Sequence, residues 1–329
     1  MGKSGLITYS KAVAILGVII YHLCLGYLAV PSIVKTASGF GGAGVHIFIF
    51  CSGFGLMVSY IRKPLNFIDF IKRRFVKIYV PYIIVVLVAF CIPALFPTAR
   101  NRVLVLCSHV FLFKMFDPSL LDTFGGQFWY ISTIIQFYLV FILLAKIMVK
   151  LGQKKYLIIC CCISFLWALM IYLLGMNENR ALTNFFLQYL WEFAMGMVIA
   201  REYSDTGLIR FEKIGFLPLL LIIIASFGIY SVMSLVGGPG KSFNDPFSFA
   251  AIFGIALLLY KLNFLTGFME FTSKISYEMY LLHIFVFKIF FIALKGLLPQ
   301  TVMVLLSMAG IYVLSYLYNR LCRLIFGRR

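Results

Sequence analysis

The chain has 329 residues, of which 63% are hydrophobic and only 12% charged, and its mean hydropathy is +1.01. A soluble globular domain has too little interior to hide that much apolar surface, so the soluble, disordered and fibrous classes are excluded. The net charge of +18 would suggest nucleic-acid binding in a soluble protein. In a membrane protein such a charge first reports topology, so we expect no nucleic-acid partner.

Apolar runs long enough to cross a bilayer, about 20 residues each, recur along the whole chain. They predict ten spans at residues 7–29, 43–61, 75–96, 128–149, 156–174, 185–201, 215–235, 247–262, 277–297 and 301–325. The run 103–116 is short and contains Lys114, so we expect it to be interfacial or re-entrant. The predicted fold is all-α, a polytopic integral membrane helical bundle of about ten transmembrane helices. Residues 1–329 are expected to form a single transmembrane domain with no appended soluble domain.

The cations are distributed unevenly between alternate connections. One set contains Lys3, Arg62, Lys63, Lys72, Arg73, Arg74, Lys77, Lys150, Lys154, Lys155, Arg201, Arg210, Lys213, Arg320, Arg323, Arg328 and Arg329. The opposite set contains chiefly Lys35, Arg100, Arg102, Arg180 and Lys241. The positive-inside rule therefore predicts that both termini lie in the cytoplasm, and an even number of spans agrees with this orientation. We expect the protein to lie in the cytoplasmic membrane. Anionic lipids would be contacted by the same cations.

The eight cysteines contain no CxxC pair, and most of them lie within apolar stretches. Thiols in such stretches behave as small hydrophobic groups. We therefore predict neither a disulfide framework nor a metal site.

The first span carries two ionisable residues on one face. Lys11 and His22 are eleven residues apart, which is three helical turns plus about 20° and about 16 Å along the axis. A lysine near a helix end commonly snorkels, and a lone intramembrane histidine commonly bonds to a neighbouring helix. Because Lys11 and His22 lie together on one helix face, however, a chemical role is favoured over a purely structural one. A neutral imidazole can take a proton from a hydroxyl group, and a cation near the cytoplasmic end can hold a phosphorylated donor.

The second span is rich in small residues, which permit close helix contact. The loop after it ends in Arg73, Arg74 and Lys77 at the cytoplasmic mouth of the third span. These cations are typical topology signals. A planar guanidinium pair can also clamp phosphates through two parallel hydrogen bonds.

Six motifs occur in order along the chain. They are Lys11 with His22, Gly44-Val45-x-x-Phe48 with Ser52-Gly53-Phe54, Arg73-Arg74-x-x-Lys77-Ile78, Trp129 with Gln136-Phe137-Tyr138, Glu192-Phe193-x-x-Gly196, and Ser276-Tyr277-x-x-Tyr280-Leu281-x-His283. In this order on a ten-span frame, the chain resembles the acyltransferase 3 family over essentially its full length.

The resemblance implies a membrane O-acyltransferase that moves an acyl group, usually acetyl from cytoplasmic acetyl-CoA, to a hydroxyl group. The acceptor is commonly a sugar in a surface polysaccharide or a lipid-linked glycan. By this resemblance His22 is the catalytic residue, and Lys11, Arg73 and Arg74 bind the acetyl-CoA, which is a co-substrate. No metal is expected. The possible supporting residues are His46, Ser52, Glu192 and His283.

Three positions depart from the family's usual pattern. The family often has arginine where Lys11 stands, an acid where His46 stands and a glutamate near Gln136. Lysine keeps the positive charge of arginine but loses its fork geometry. The histidine at position 46 leaves the carboxylate partner of His22 undefined, and a helix-end histidine at the outer interface is the simpler interpretation. Direct transfer and a transient acyl-enzyme on Ser52 or Cys51 are both left open.

Other ionisable residues lie at membrane depth, where they are costly. We expect Glu192 to form a structural pair, with Lys288 either as its partner or snorkelling to the interface. His283 is placed near the cytoplasmic end of the ninth span and is expected to anchor helix packing. His109, in the short outer segment, is expected to face water or the interface.

Three other functional classes are weighed against an acyltransferase. A transporter or flippase of a lipid-linked or anionic glycan would suit the intramembrane cations, but the chain has no paired halves with interrupted helices. A membrane glycosyltransferase would usually need an acidic site, and the outward loops offer only scattered acids. A purely structural role is disfavoured by ionisable residues at costly depths.

Overall fold

The structure is a computed structural model that describes residues 4–327, apart from the side chains of Ile33, Pro239 and Lys241. The predicted topology signals at Lys3, Arg328, Arg329 and the side chain of Lys241 lie outside this description. The described chain is helical and contains no strand. The predicted all-α, polytopic helical fold is therefore confirmed.

The α-helices follow one another with short connections. They are α1 (Gly5–Gly26), α2 (Ser32–Gly42), α3 (Gly44–Arg62), α4 (Phe67–Arg74), α5 (Val80–Cys91), α6 (Arg102–Val110), α7 (Trp129–Leu151), α8 (Gln153–Leu173), α9 (Arg180–Thr183), α10 (Leu190–Thr206), α11 (Phe216–Val236), α12 (Gly238–Phe243), α13 (Asp245–Lys261), α14 (Thr266–Lys288) and α15 (Gln300–Phe326). Two π-helical turns, Phe75–Tyr79 and Ile289–Ala293, join α4 to α5 and extend α14.

Eight helical segments of the described chain are long and apolar enough to cross a membrane. They are Gly5–Gly26, Val34–Arg62, Phe67–Cys91, Gly126–Leu151, Gln153–Leu173, Phe216–Val236, Thr266–Ala293 and Gln300–Phe326. The other two predicted spans, 185–201 and 247–262, coincide with α10 and α13, which have 17 residues each. At 1.5 Å per residue these two helices are about 25 Å long, shorter than a hydrocarbon core of about 30 Å.

Besides the second span, which begins at Val34 instead of residue 43, two spans begin well before their predicted starts. The third starts at Phe67 instead of residue 75, and the ninth starts at Thr266 instead of residue 277. Both early turns carry charged residues among apolar ones, and hydropathy alone therefore assigned them to loops. The correction matters for His283, which lies deep in α14 and not near its cytoplasmic end.

Helices α3 and α10 pack closely against each other. A methyl group built on Gly53 would lie 2.2 Å from the Phe193 carbonyl oxygen, and one built on Gly196 would lie 2.2 Å from the Phe50 carbonyl oxygen. Each helix thus presents a glycine to the backbone of the other. Small residues permit this close approach. In lipid, where the hydrophobic effect does not drive helices together, van der Waals packing of this kind stabilises the contact.

Helices α1 and α14 run in the same direction. The Tyr9 hydroxyl bonds to Thr266 Oγ1 at 2.8 Å near both N-terminal ends. His22 lies thirteen residues after Tyr9 on α1, and His283 lies seventeen residues after Thr266 on α14. The centroids of the two histidine rings are 5.0 Å apart. This parallel packing brings the two histidines to the same level of the bundle.

The segment after α5 folds back into the protein. His109 is fully buried, whereas the sequence predicted that it would face water or the interface. Its Nε2–H donates to the Thr123 carbonyl oxygen at 2.9 Å, and its Nδ1 accepts from the Tyr82 hydroxyl at 2.9 Å. Two hydrogen bonds satisfy both ring nitrogens, which removes the need for water. Burial lowers the pKa of His109 well below its usual value, and the neighbouring Lys114 lowers it further.

Candidate functional site

The ionisable residues of α1 line cavities at opposite ends of the bundle. Two adjoining cavities of about 250 Å³ and 490 Å³ share Lys11, Cys51, Lys77 and Tyr277 in their walls, and we call them together the Lys11 cavity. A third cavity of about 720 Å³ is lined by His22, and we call it the His22 cavity. Because Lys11 and His22 are on one continuous helix, α1 connects the two sites.

The Lys11 cavity is strongly basic. Its larger part is lined by Lys11, Arg62, Lys77, Lys274 and Arg323, with Glu278 as the carboxylate among its described lining residues. Its smaller part adds Arg74 and Ser52. Such an excess of cations over carboxylates favours an anionic ligand.

Arg74 is the better placed of the two predicted arginines. It is partly buried, its guanidinium lies 5.4 Å from the centre of the Phe70 ring, and its Nε is buried without a hydrogen-bond partner. Arg73 is exposed and does not line the cavity. The structure therefore brings Arg74 and Lys77 to Lys11 and leaves Arg73 outside. An orphaned buried donor such as Arg74 Nε is the kind of group that an anionic oxygen would satisfy.

The His22 cavity combines a histidine with polar and aromatic groups. Its walls include Asp122, Gln127, Trp129, Asn184 and Lys288. Tyr280 lines both this cavity and the smaller part of the Lys11 cavity. The two sites therefore meet at the ring of Tyr280, whose hydroxyl donates to the Gln127 carbonyl oxygen at 2.5 Å.

His22 and His283 form a pair whose proton positions follow from their acceptors. His283 Nδ1 lies 3.0 Å from the Met279 carbonyl oxygen and His22 Nδ1 lies 2.9 Å from the Val18 carbonyl oxygen. A carbonyl oxygen only accepts, so each Nδ1 carries the proton. His283 Nε2 then has a free lone pair and accepts from His22 Nδ1–H at 3.2 Å. In the neutral ring, His22 Nε2 is consequently the unprotonated nitrogen, and it is available as a base.

His283 is fully buried, as its expected packing role requires, but it also contacts the ring predicted to be catalytic. The sequence placed these residues in different spans and gave His22 no partner. The motif that ends in His283 was the available signal. The motif did not indicate how α1 and α14 align along their lengths, because that alignment is set by helix packing.

His46 and Glu192 form a separate buried cluster. His46 Nδ1 lies 2.6 Å from Glu192 Oε1, and His46 Nε2 lies 3.5 Å from Asp245 Oδ1. The pairing ties the start of α3 to the starts of α10 and α13. His46 thus has two carboxylate neighbours and does not serve as the partner of His22.

The partner considered for Glu192 lies elsewhere. Lys288 Nζ donates to the Leu95 carbonyl oxygen at 3.0 Å and lies 4.9 Å from the centre of the Phe96 ring. Lys288 therefore fixes the chain after α5 and borders the His22 cavity. Glu192 is thus paired with His46 and not with Lys288.

Ser52 and Cys51, the two possible nucleophiles, line the Lys11 cavity. They do not line the His22 cavity. In the described residues no group of three or more His, Cys, Asp or Glu side chains could hold a metal ion.

Several lining residues of the His22 cavity were missed by sequence reasoning. Gln127 lies two residues after Gly125, which has a φ of +137°. Glycine adopts such a positive φ more readily than other residues. A side chain on Gly125 would collide with the Gln127 amide, which lies 2.5 Å from the position of its Cβ. Polar residues next to Trp129 were the available signal, but nothing in their spacing indicated a cavity.

The chain was compared with protein families, with curated proteins and with solved structures. A family model described as an acyltransferase domain matches residues 6–320. No curated protein and no solved structure matches the chain.

Proposed function

Since the chain belongs to the acyltransferase 3 family and is therefore a membrane acyltransferase, we propose that it transfers acetyl from acetyl-CoA to a sugar hydroxyl of a surface polysaccharide or lipid-linked glycan. The observation that carries the proposal is the His22–His283 pair, which leaves an unprotonated ring nitrogen in the wall of a cavity of about 720 Å³. Cavities of this size are typical of small-molecule sites.

In the proposed reaction, the acceptor hydroxyl donates its proton to His22 Nε2 as its oxygen attacks the thioester carbonyl carbon. The new ester C–O bond forms as the C–S bond breaks. The proton passes from the imidazolium to the departing thiolate, so a sugar ester and free CoA are produced. His283 Nε2 accepts from His22 Nδ1–H throughout. This hydrogen bond holds the His22 ring in orientation and stabilises its cationic form.

The donor would be held at the other end of α1. The phosphates of acetyl-CoA would bind Lys11, Arg74 and Lys77 in the basic cavity. The extended pantetheine arm would then run along α1 past Tyr280, over a distance of the order of 16 Å. In this arrangement the basic end faces the cytoplasm and both termini are cytoplasmic, as the distribution of cations predicts.

The test is to measure O-acetyl esters on surface glycans by mass spectrometry. Three strains are compared: cells with the intact protein, cells with His22→Ala and cells with a deletion. We expect the esters to disappear in both altered strains while the glycan itself remains, because His22 is the base of the reaction. Equal amounts of folded protein, measured by fluorescence-detected gel filtration, serve as the control. Unchanged esters in the His22→Ala strain would contradict the mechanism, and loss of the whole glycan would favour a transporter or flippase.

A further inference from the structure

A second polar cavity opens beside the His22 cavity. It has a volume of about 300 Å³ and lies between α8, α9, α12 and the start of α13. We call it the Asp245 cavity. Arg180 and Asn184 line both this cavity and the His22 cavity. A ligand in one cavity therefore lies next to a ligand in the other.

An unsatisfied buried donor lies at the junction. Asn184 is 5% exposed, and its Oδ1 accepts from the Tyr189 hydroxyl at 3.4 Å. Its Nδ2 is buried without a hydrogen-bond partner. On the His22 side, Gln127 Oε1 is also buried without a partner. Buried amide groups are rarely left unpaired, so these two atoms are a donor and an acceptor that a polar ligand at the junction would satisfy.

The charges of the Asp245 cavity are mixed. Arg180, Glu178 and Asp245 line it, and within the described residues no carboxylate lies within 4.0 Å of Arg180 to form an ion pair. Two carboxylates would repel an anionic ligand. A donor such as Arg180 beside acceptors such as Glu178 and Asp245 suits vicinal hydroxyl groups, each of which can donate and accept.

An aromatic surface continues across the junction. Tyr189 lines the Asp245 cavity and Trp129 lines the His22 cavity, and their rings are stacked with centroids 5.9 Å apart. Aromatic faces pack against the apolar C–H surface of a sugar ring while polar groups bind its edge.

We propose that the Asp245 cavity is a second sugar subsite, which binds an uncharged sugar residue next to the one that is acylated. This inference rests on the proposed function and deepens it. The acceptor is then an oligosaccharide or polymer and not a single sugar. Asn184 and Arg180 bind the linked pair at the junction, and Glu178 and Asp245 bind hydroxyl groups of the neighbouring residue.

The test uses the purified full-length protein in detergent with acetyl-CoA. The acceptors are mono-, di- and trisaccharide fragments of the cell's own surface glycan, cleared of esters by mild base, with and without chemical reduction of any carboxyl groups. We expect kcat/KM to be about tenfold or more higher for the di- and trisaccharides than for the monosaccharide, because added hydrogen bonds are realised only by the longer acceptors. Fragments with an uncharged neighbouring residue are expected to react faster than those with a charged one.

The variant Ser242→Trp fills the Asp245 cavity, which Ser242 lines away from His22. We expect the ratio of kcat/KM for disaccharide and monosaccharide to fall towards one. Ser242 Oγ donates to Asn177 Oδ1 at 2.8 Å, and both Ser242→Trp and Ser242→Ala remove this hydrogen bond. Ser242→Ala does not fill the cavity, so it should keep most of the preference for the disaccharide. Ser231→Trp, on α11 outside the cavity walls, controls for the added indole ring.

The outcomes separate this inference from the proposed function. Equal kcat/KM for monosaccharide and disaccharide in the unaltered protein, or an unchanged ratio in Ser242→Trp, would overturn the second subsite while leaving acetyl transfer intact. Faster transfer to fragments with a charged neighbour would overturn the assignment of an uncharged sugar. Failure of the unaltered protein to acetylate any fragment or the intact glycan would overturn the proposed function itself.

Discussion

At the scale of single residues, the proposed reaction depends on how His22 is held. The Val18 carbonyl and His283 Nε2 both lie within hydrogen-bond distance of His22 Nδ1, at 2.9 and 3.2 Å. These contacts direct the proton to Nδ1 and leave Nε2 free at the cavity. His283 touches neither substrate nor donor in the proposed reaction, so it is a positioning residue.

Replacing His283 tests this role. His283→Phe keeps an aromatic ring but removes the acceptor, and we expect kcat for acetyl transfer to fall about 10- to 100-fold, the value of one hydrogen bond to a charged group. His283→Gln supplies an amide oxygen that can accept from His22 Nδ1–H, and it should restore much of the activity. The measurement is steady-state kinetics on matched amounts of folded protein. Equal activity of the two variants would show that His283 only fills space.

A second residue-scale prediction concerns Lys114, which is 1% exposed and donates to the Gly125 carbonyl oxygen at 3.1 Å. Burial lowers the pKa of Lys114 to about 7 from its usual 10.5. Below about pH 7 this lysine is charged in the folded and unfolded states alike. Between about pH 7 and 10.5 it is neutral only in the folded state, so unfolding takes up a proton and the free energy of unfolding rises with pH.

The corresponding experiment is thermal unfolding in detergent from pH 6 to pH 10. We expect Tm to rise with pH above about pH 7 in the unaltered protein and to rise less in Lys114→Met, which cannot take up the proton. Lys150→Met, at an exposed lysine of α7, is the matched control and should keep the full rise. The same slope in Lys114→Met as in the unaltered protein would show that Lys114 is charged when folded.

At the scale of helices, close contacts at glycines fix α1 and α3, which line both cavities of the candidate site. The packing of α3 on α10 sets the position of His46 against Glu192, and α3 in turn packs on α1, where a Cβ on Gly44 would lie 2.5 Å from the Ala14 carbonyl oxygen. The helix that carries Lys11 and His22 is therefore fixed by backbone contacts that only small residues allow.

The close packing of α3 on α10 predicts that one added methyl group at the contact destabilises the fold. In Gly53→Ala the new Cβ would meet backbone atoms of α10, which cannot move aside as a side chain can. We expect the free energy of unfolding to fall by about 1–3 kcal/mol or more. The Tm and the yield of folded protein should fall with it. Gly228→Ala, on α11 with open space around it, is the control and should be neutral. A Gly53→Ala protein as stable as Gly228→Ala would contradict the close packing.

At the scale of the whole molecule, the bundle holds a basic cavity and a mixed polar cavity apart. The basic Lys11 cavity and the mixed polar His22 cavity lie at different levels of α1 and share Tyr280. In the proposed function, acetyl-CoA enters one side and the glycan the other. Mutations at the two ends should therefore affect the KM of different substrates.

We expect Arg74→Ala to raise KM for acetyl-CoA about tenfold or more, with a much smaller effect on KM for the acceptor, because charge-assisted hydrogen bonds to phosphate are lost. Arg73→Ala, next to it but exposed and outside the cavity, is the matched comparison and should change KM for acetyl-CoA by less than about twofold. The measurement is initial rates at varied acetyl-CoA. The reverse ranking of the two variants would contradict the donor site.

The sequence by itself determined the class of the protein. Its apolar content requires membrane-spanning helices, because only lipid or a very large core could cover that surface. The order of the motifs identified the family that the match over residues 6–320 confirms. The spacing of Lys11 and His22 also placed both on one helix face, because helix geometry is local.

Only the tertiary structure decided which residues meet. The His22–His283 pair joins positions 261 residues apart, and the His46–Glu192 pair joins positions 146 residues apart. Both pairs depend on the relative register of packed helices, which hydropathy does not encode. The choice of Arg74 over Arg73 followed from the direction of two neighbouring side chains on one turn. Cavities, too, are spaces between elements, and for that reason Gln127 and Asn184 gained their significance only when the helices were assembled.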